Sequence, residues 1–308
     1  MSQDQLSIFK QKSVGKALAP RQVASAAVPT GESSIMQTLP AYHAYLSQRY
    51  APKTVRMYWG DLRALSVYLR DKQLQAITPL DLQQWADMQL ATDGRHLECQ
   101  TLNRKCSAVI NYFDWLRGLE AITDDPSSGL TNARVQSPLP DYLYDAEIQV
   151  LQQAASQDPR TYLLVLLFLE TGIKSQELLT LTRAHVDISN KYKPELWIKH
   201  TGKATKKDRK VALSADFTAV YLAYVDRYGI VDVLFPFTDR YVQLLFADLK
   251  KQTGIHKTLT LKTLRHTHVV RAYKRGEDPH TVFDRIGLAP DSRIEADELY
   301  SRLARRGI

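Results

Sequence analysis

The sequence has little cysteine and no long apolar run. Its two cysteines, Cys99 and Cys106, belong to neither a Cys-x-x-Cys pair nor a Cys/His array, which argues against a zinc site. The longest apolar run, residues 162–169, is far too short to span a bilayer. The N-terminus also lacks the apolar segment of a signal peptide. We therefore expect a cytoplasmic protein with no membrane segment and no zinc site.

Acidic residues are also in deficit. Lysine and arginine number 41 against 33 aspartates and glutamates, which gives a formal net charge of +8 and a pI of about 9.3. Such a balance favours a polyanionic partner, although it says nothing about the fold. With 308 residues the chain is long enough for two domains, each with its own core.

Residues 34–117 carry the helical repeat of apolar positions. Ile35, Leu39, Tyr42 and Leu46 recur at helical spacing, and three similar segments follow before residue 117. One of them starts at residues 78–79, where a threonine that can cap free N–H groups precedes a proline suited to the first turn. Four short helices in this space predict a compact all-α domain.

The flanking segments differ in character. Residues 1–33 are polar and rich in alanine and serine, which is typical of a mobile arm that either contacts DNA or is simply solvated. Residues 118–140 contain helix-breaking Pro126 and Gly129 followed by two more prolines, and predict a linker. Residues 141–308 predict an α-rich domain with one small sheet, whose strands are expected at 186–189, 195–200 and 210–213.

The chemistry concentrates in two places. Arg265 and His266 lie in a half-apolar helical segment, residues 258–273, and Tyr300 follows near the C-terminus. An arginine buried at the start of a helix needs an anionic partner, and a tyrosine can supply a nucleophile. This pairing indicates a phosphodiester substrate.

Four segments carry a family resemblance when they are taken in order. They are the Thr-Gly-Ile-Lys-Ser-Gln-Glu-Leu box at 171–178, the Gly-Lys turn at 202–203, the Leu-Arg-His segment at 264–266, and Tyr300. Their order and spacing resemble the tyrosine recombinase, or phage integrase, family. The resemblance implies a mainly α fold with a small antiparallel sheet, built as a two-domain C-shaped clamp. Residues 34–117 would be the four-helix, SAM-like core-binding domain, and residues 141–308 the catalytic domain.

The resemblance also implies roles for individual residues. Tyr300 matches the nucleophile, Arg265 the second family arginine, and Lys203 the general acid of a hairpin, with Lys206 and Lys207 as rivals. Lys262 occupies the position where the family usually has a histidine. Glu177 is expected to orient basic neighbours, and His266 to pack and to form hydrogen bonds. The expected contacts to the DNA backbone are Arg56, Arg104, Lys105, Lys206, Lys207 and Arg209.

Two positions depart from the family pattern. Lys174 occupies the position of the first family arginine, and it keeps the charge but loses the planar fork. Losing one such contact costs on the order of 3 kcal/mol in the transition state. Leu288 occupies the position of a family histidine and cannot donate a hydrogen bond, so Arg285 or Arg293 would have to supply that contact. The enzyme is therefore expected to be slow or inactive, or else Lys174 is an engineered change.

The resemblance implies a site-specific recombinase that cuts and rejoins double-stranded DNA through a 3′-phosphotyrosyl intermediate. No cofactor is needed, because the bond energy is kept in the covalent link. No metal is expected for the same reason. The expected assembly is a homo-tetramer on paired DNA sites, and a monomer or dimer when free, and the expected location in the cytoplasm is the nucleoid. The alternatives are a DNA-binding protein that keeps the fold without catalysis, and a type IB topoisomerase with the same chemistry.

Overall fold

The chain divides into two compact units in a computed structural model that describes residues 28–91, 99–130, 139–200 and 208–306. Unit 1 is Met1–Ser137 and unit 2 is Pro138–Ile308. The described residues are mostly helical, with a single three-stranded sheet among them. In this part of the chain no helix is both long and apolar enough to cross a membrane.

Unit 1 contains the four predicted helices. They are α1 (Ile35–Ser47), α2 (Pro52–Tyr68), α3 (Pro79–Ala91) and α4 (Cys99–Gly118), with short 3₁₀ turns at Leu74–Ala76 and Pro126–Gly129. Helix α1 begins with a capping box, in which the Ser34 hydroxyl accepts from the Gln37 amide and the Gln37 side chain accepts from the Ser34 amide. The proline expected in the first turn of α3 stands at its first residue.

The core of unit 1 is rich in aromatic side chains. Tyr42, Trp85, Tyr112 and Phe113 are fully buried between the helices. The Tyr112 hydroxyl is satisfied by the Thr38 hydroxyl, as burial of a phenol requires. Burial of the Tyr112 ring therefore leaves its hydroxyl paired.

Part of the predicted linker belongs to unit 1. Ile122 and Leu130 are buried against the unit 1 core. Removing an apolar side chain from water is favourable, so this stretch packs on the unit instead of extending away from it. The remainder of the predicted linker up to residue 138 lies outside the described residues, as do residues 1–27 of the predicted arm.

Unit 2 is built around helix α6. Its helices are α5 (Asp145–Ala155), α6 (Pro159–Thr171), α7 (Ser175–Leu178), α8 (Ala215–Tyr228), α9 (Asp239–Thr253), α10 (Leu261–Lys274), α11 (Pro279–Arg285) and α12 (Arg293–Arg305), with 3₁₀ turns at Arg183–His185 and Pro290–Ser292. Helix α6 is apolar on all sides and is buried throughout its centre, with α8 and α10 packed against it.

Helix α6 ends as its sequence predicts. Gly172 follows the last residue of the helix at φ 59°, the left-handed conformation that glycine adopts without strain. A Cβ atom at this position would lie 2.8 Å from both the His268 ring and the Ile286 side chain. Glycine is therefore required both by the backbone conformation and by the close approach of α10 and the segment after α11.

The sheet is antiparallel with strand order β1-β2-β3. The strands are β1 (Val186–Asp187), β2 (Glu195–Ile198) and β3 (Arg209–Ala212), and Leu196 pairs with both Val186 and Val211. Strands β1 and β2 each end two residues earlier than predicted, and β3 starts and ends one residue earlier than predicted. Strand β1 stops early because the Asp187 carboxylate accepts from the Ser189 amide and turns the chain. Beyond the end of β2, the His200 amide donates to the Asp208 side chain.

Candidate active site

Helix α10 presents Arg265 near its N-terminus. The helix begins after Thr260, whose hydroxyl accepts from the Thr263 amide at 3.2 Å, and Arg265 follows one turn later. The Arg265 guanidinium donates to the Gly172 carbonyl and, at 2.9 Å, to the Ile286 carbonyl. Burial lowers the pKa of Arg265, although an arginine stays charged at any physiological pH. The structure thus holds a fixed positive charge at the junction of α6, α10 and α11.

The segment that ends α11 binds two further cations. Three successive backbone carbonyls accept hydrogen bonds from side chains of three different parts of the unit. The carbonyl of residue 285 accepts from the Arg209 Nε at 2.7 Å, that of residue 286 from Arg265, and that of residue 287 from the Lys174 Nζ at 2.7 Å. The last carbonyls of a helix have no partner within the helix, so they are available as acceptors. One short turn of backbone therefore fixes Lys174, Arg209 and Arg265 together.

Gly287 makes this convergence possible. Its φ is 62°, and a Cβ atom there would lie 2.6 Å from the Arg209 Nη1 atom. Any larger residue would push the guanidinium away from its carbonyl partner. The glycine is thus needed for the backbone turn and for the space that the cation occupies.

Arg209, which the sequence predicted as a phosphate contact, is buried and paired with a carboxylate in the free protein. Its side chain is only 9% exposed and forms a forked pair with Glu177, at 3.0 and 2.8 Å. Burial alone would raise the pKa of Glu177, but the hydrogen bonds and charge of Arg209 outweigh it and the pKa is lowered. The reason for the difference is that β3 directs this arginine inward, toward a carboxylate 32 positions earlier in the chain.

Glu177 holds more than one basic group, as predicted. Besides Arg209, it accepts from the Lys174 backbone amide at 2.9 Å and lies 3.2 Å from the His200 Nε2 atom. Two of its partners belong to the site and the third follows the end of β2. The carboxylate is therefore the anchor that connects α7 to the sheet.

Tyr300 lies on α12 and faces α10. Its side chain is 6% exposed, and its hydroxyl is 2.8 Å from the His266 Nδ1 atom. Burial raises the pKa of Tyr300, and the positive charge of Arg265 opposes that rise. The hydroxyl is thus neutral and buried, and it lies within the electrostatic reach of the Arg265 charge.

His266 is neutral at physiological pH. Burial, followed by the charges of Lys262 and Arg265, lowers its pKa to about 4. A neutral ring with Nδ1 facing a hydroxyl can accept its hydrogen bond. The sequence predicted hydrogen bonding for His266, but it did not show that the partner would be Tyr300.

The two departures from the family pattern behave differently. Lys174 keeps a cation at the site through its contact with Gly287. Leu288 packs partly buried in an apolar cluster under α10, α11 and α12, where a polar side chain would lose solvation. Both arginines suggested as substitutes form ion pairs in the free protein: Arg285 donates to Glu277 at 2.5 Å and Arg293 to Asp284 at 2.6 Å.

The remaining predicted residues are dispersed. Lys262 is exposed on α10, and Arg56 is exposed on α2. Arg104 forks onto Asp61 and keeps 32% of its side chain exposed, while Lys105 donates to Gln89 at 2.5 Å. The hairpin lysines Lys203, Lys206 and Lys207 lie outside the described residues. Within the described part of the chain no group of three or more metal-ligating side chains comes together.

Comparison with known proteins assigns the chain to a family. Residues 39–118 match the phage integrase N-terminal SAM-like domain, and residues 141–295 match the phage integrase family. A tyrosine recombinase from Pseudothermotoga lettingae is 26% identical over 261 residues, which cover 82% of this chain and 89% of the relative. Tyrosine recombinase XerC from Lacticaseibacillus casei is 24% identical over 279 residues, covering 82% and 91%.

Solved structures have the same fold. The Tn1549 transposon integrase in complex with a circular intermediate DNA superposes with a TM-score of 0.71 at 17% identity, covering 90% of this chain and 100% of that one. A lambda integrase dimer bound to a COC′ core site gives 0.69 at 16% identity, covering 89% and 78%. The chain therefore belongs to the phage integrase family of tyrosine recombinases.

Proposed function

We propose that this chain is a site-specific DNA recombinase that cuts and rejoins double-stranded DNA through a 3′-phosphotyrosyl intermediate. The observation that carries the proposal is the placement of the Tyr300 hydroxyl beside α10, which bears the forked cation Arg265. A buried phenol next to a fixed arginine suits attack on a phosphate, because the charge that develops on the non-bridging oxygens meets a cation already in place.

The proposed reaction conserves bond energy. The Tyr300 oxygen forms a bond to the scissile phosphorus, and the bond from phosphorus to the 5′ oxygen breaks. The departing 5′ oxygen takes a proton from a hairpin lysine, Lys203 or its rivals Lys206 and Lys207. Attack by a 5′-hydroxyl of another strand reverses these steps and frees the tyrosine. Neither a metal nor ATP has a place in this scheme.

Arg265 and Lys174 are the proposed phosphate contacts. In the free protein their charges are held by the carbonyls of Ile286 and Gly287. The Arg265 guanidinium carries five N–H donors, and the carbonyls of Gly172 and Ile286 accept from two of its nitrogens. Binding of a phosphate would thus add to an arrangement that is already in position.

The proposed partner is duplex DNA, bound by a homo-tetramer on paired sites, with a monomer or dimer when free. A lambda integrase tetramer bound to a Holliday junction has a TM-score of 0.69 with this chain at 17% identity. The net charge of +8 is consistent with a polyanionic partner. Arg56, Arg104 and Lys105 remain proposed backbone contacts in unit 1, and Lys206 and Lys207 in unit 2. Lys262 remains a proposed cation of the catalytic site.

A covalent trap tests the proposal. A preferred duplex is first selected from a random library by repeated gel-shift enrichment. It is then nicked close to the cleavage position, so that the short strand is lost after attack and the adduct persists. Wild-type protein should give an adduct that survives denaturation, and Tyr300→Phe should give none.

The same trap tests the alternative that the chain is a DNA-binding protein that keeps the fold without catalysis. Lys174→Arg restores the fork and should increase the rate of adduct formation by about ten- to a hundredfold. An adduct with Lys174→Arg alone would show that this position disables the natural chain. No adduct with either protein would leave only DNA binding.

A further inference from the structure

The His266 ring contacts the hydroxyl oxygen proposed as the nucleophile. Its Nδ1 atom lies 2.8 Å from the Tyr300 hydroxyl, and the two rings lie with centroids 5.8 Å apart. The neighbouring Tyr273 does not compete for this contact, because its own hydroxyl donates to Asp297 at 2.7 Å. The Tyr300 hydroxyl is buried, so a proton leaving it has no direct path into bulk water.

The tautomer of His266 follows from its surroundings. Of the two groups, the phenol is the better donor and the imidazole nitrogen the better acceptor. The Tyr300 O–H therefore donates to Nδ1, and the ring proton resides on Nε2. The Nε2 atom is buried and has no hydrogen-bond partner among the described residues. Nδ1 is thus the functional side of the ring, and it is directed at Tyr300.

We propose that His266 is a catalytic residue, the base that accepts the Tyr300 proton as the tyrosine attacks the phosphate. This inference rests on the proposed function. The O–P bond forms while the O–H proton moves to Nδ1, and the bond to the 5′ oxygen breaks while that oxygen is protonated from the hairpin. In the rejoining step the tyrosine leaves phosphorus and recovers its proton from the His266 imidazolium.

A weakly basic imidazole is sufficient for this step. The pKa of Tyr300 in the resting state is raised by burial, so its proton does not leave in advance. As the oxygen bonds to phosphorus its basicity falls far below that of any imidazole. A base whose pKa of about 4 lies between these two limits accepts the proton in concert with bond formation. No free phenolate has to form in the buried site.

The phosphate itself would make His266 more basic. The charges that depress its pKa, after burial, are Lys262 and Arg265, both on the same helix. From α12 the group that faces it is the neutral Tyr300 hydroxyl. A phosphate anion bound by Arg265 would offset these positive charges and would stabilise the imidazolium. The proton acceptor would thus become effective only when substrate is in place.

Three variants separate proton acceptance from hydrogen bonding. His266→Asn keeps an acceptor oxygen near the Nδ1 position but cannot take the proton, and His266→Ala removes both functions. His280→Asn, on the exposed start of α11, is the matched control. The measured quantity is the single-turnover rate of adduct formation on the selected nicked duplex. Both His266 variants should be slowed about a hundredfold, and the control should match wild type.

A substrate with a bridging sulfur atom shows which of the two proton transfers a variant has slowed: the transfer from Tyr300 or the transfer to the leaving 5′ oxygen. Replacing the bridging 5′ oxygen by sulfur gives a leaving group that needs no acid. It should restore the rate of the slow alanine variant among Lys203, Lys206 and Lys207, and it should leave the His266 variants slow. Added imidazole should raise the rate of His266→Ala at least tenfold, which a purely structural defect would not show.

Specific outcomes would overturn the inference. If His266→Asn reacts within twofold of wild type, the hydrogen bond is sufficient and the proton goes elsewhere. If sulfur restores the His266 variants, the residue serves the leaving group. Melting temperatures identify a misfolded variant, and if His266→Ala fails to fold, His266→Asn with the sulfur substrate still decides. Absence of a wild-type adduct would overturn the proposed function itself, which is a different result.

Discussion

The two units use a forked arginine–carboxylate pair in opposite ways. In unit 1, Arg104 is 32% exposed and Asp61 is 9% exposed, whereas in unit 2 Arg209 is 9% exposed and Glu177 only 7%. The guanidinium of unit 1 is therefore partly open to solvent, and the guanidinium of unit 2 is buried. An arginine and an acid far apart in the chain thus form a partly exposed pair in one unit and an internal anchor in the other.

A second contrast concerns the partner of the cation. Arg265 has backbone carbonyls as partners, where the pairs of Arg104 and Arg209 have a carboxylate. A carbonyl positions the guanidinium without neutralising its charge. The structure therefore leaves a net positive charge beside Tyr300, whereas the Glu177 carboxylate neutralises the charge of Arg209.

The largest expected effect comes from removing that uncompensated charge. Arg265→Ala should lower the rate of adduct formation at least about a thousandfold, since one forked contact to the transition state is lost together with its charge. The matched control is Arg271→Ala, because Arg271 lies on the same helix and pairs with Asp145 at the surface. Single-turnover kinetics on the nicked duplex measure both. Equal rates for the two variants would contradict the role given to Arg265.

The buried pair of unit 2 should dominate stability. Glu177→Gln leaves Arg209 buried without a charged partner and should cost about 3–5 kcal/mol of unfolding free energy. Glu195→Gln is the control, because Glu195 is 42% exposed and its contact to Lys210 is a long 3.4 Å. Exposed pairs contribute about 0–1 kcal/mol, so this control should change little. Urea unfolding followed by far-UV circular dichroism compares the two, and similar losses would show that Arg209 is not an anchor.

Acid should weaken unit 2 before unit 1. Burial lowers the pKa of both His266 and His268 to about 4, below the ordinary value of 6.5. Between these values the unfolded chain binds protons that the folded unit does not. Stability is therefore complete above pH 6.5 and falls as the pH drops toward 4, by about 1–2 kcal/mol for each histidine at pH 5.

Hydrogen exchange can follow the two units separately. After correction for the intrinsic pH dependence, α6 and α10 should lose protection between pH 7.5 and pH 5, while α1 and α4 should keep theirs. Unit 1 has no buried histidine among its described residues, and His43 is exposed. Equal losses in both units would mean that groups other than these histidines control acid stability.

The smallest effect is expected at the Arg104–Asp61 pair of unit 1, whose arginine is partly exposed. Asp61→Asn should cost about 1 kcal/mol, because the arginine left behind is partly hydrated and the amide oxygen can still accept from it. Urea unfolding of this variant, read beside that of Glu177→Gln, measures the contrast between the two forks. A loss of 3 kcal/mol or more would show that Arg104 depends on Asp61 as strongly as Arg209 depends on Glu177.

The sequence predicted the features that have a local physical cause. Helix α6 and its terminal Gly172 follow from apolar composition and from left-handed backbone geometry, and the structure confirms both. The four helices of unit 1 follow from apolar spacing. The prediction that a helical arginine and Tyr300 belong to one site is consistent with the contact between α10 and α12.

The features that were missed depend on distant or backbone partners. No local pattern reveals that Arg209 would turn inward to Glu177. Nor does one reveal that Arg285, a candidate phosphate contact from the sequence, would pair with Glu277 in the free protein. The carbonyls at 285–287 that fix three cations have no side-chain signature at all. A sequence therefore indicates which charges are present, but the fold decides which of them are neutralised.

The most direct test of the account is to identify the residue that becomes attached to DNA. The trapped adduct is digested with nuclease and trypsin, and the peptide that retains a nucleotide is sequenced by mass spectrometry. Cleavage after Arg293 and Arg302 should yield residues 294–302 with the nucleotide 3′-phosphate on Tyr300. A nucleotide on any other residue, or no covalent nucleotide from a duplex that the protein demonstrably binds, would contradict the account.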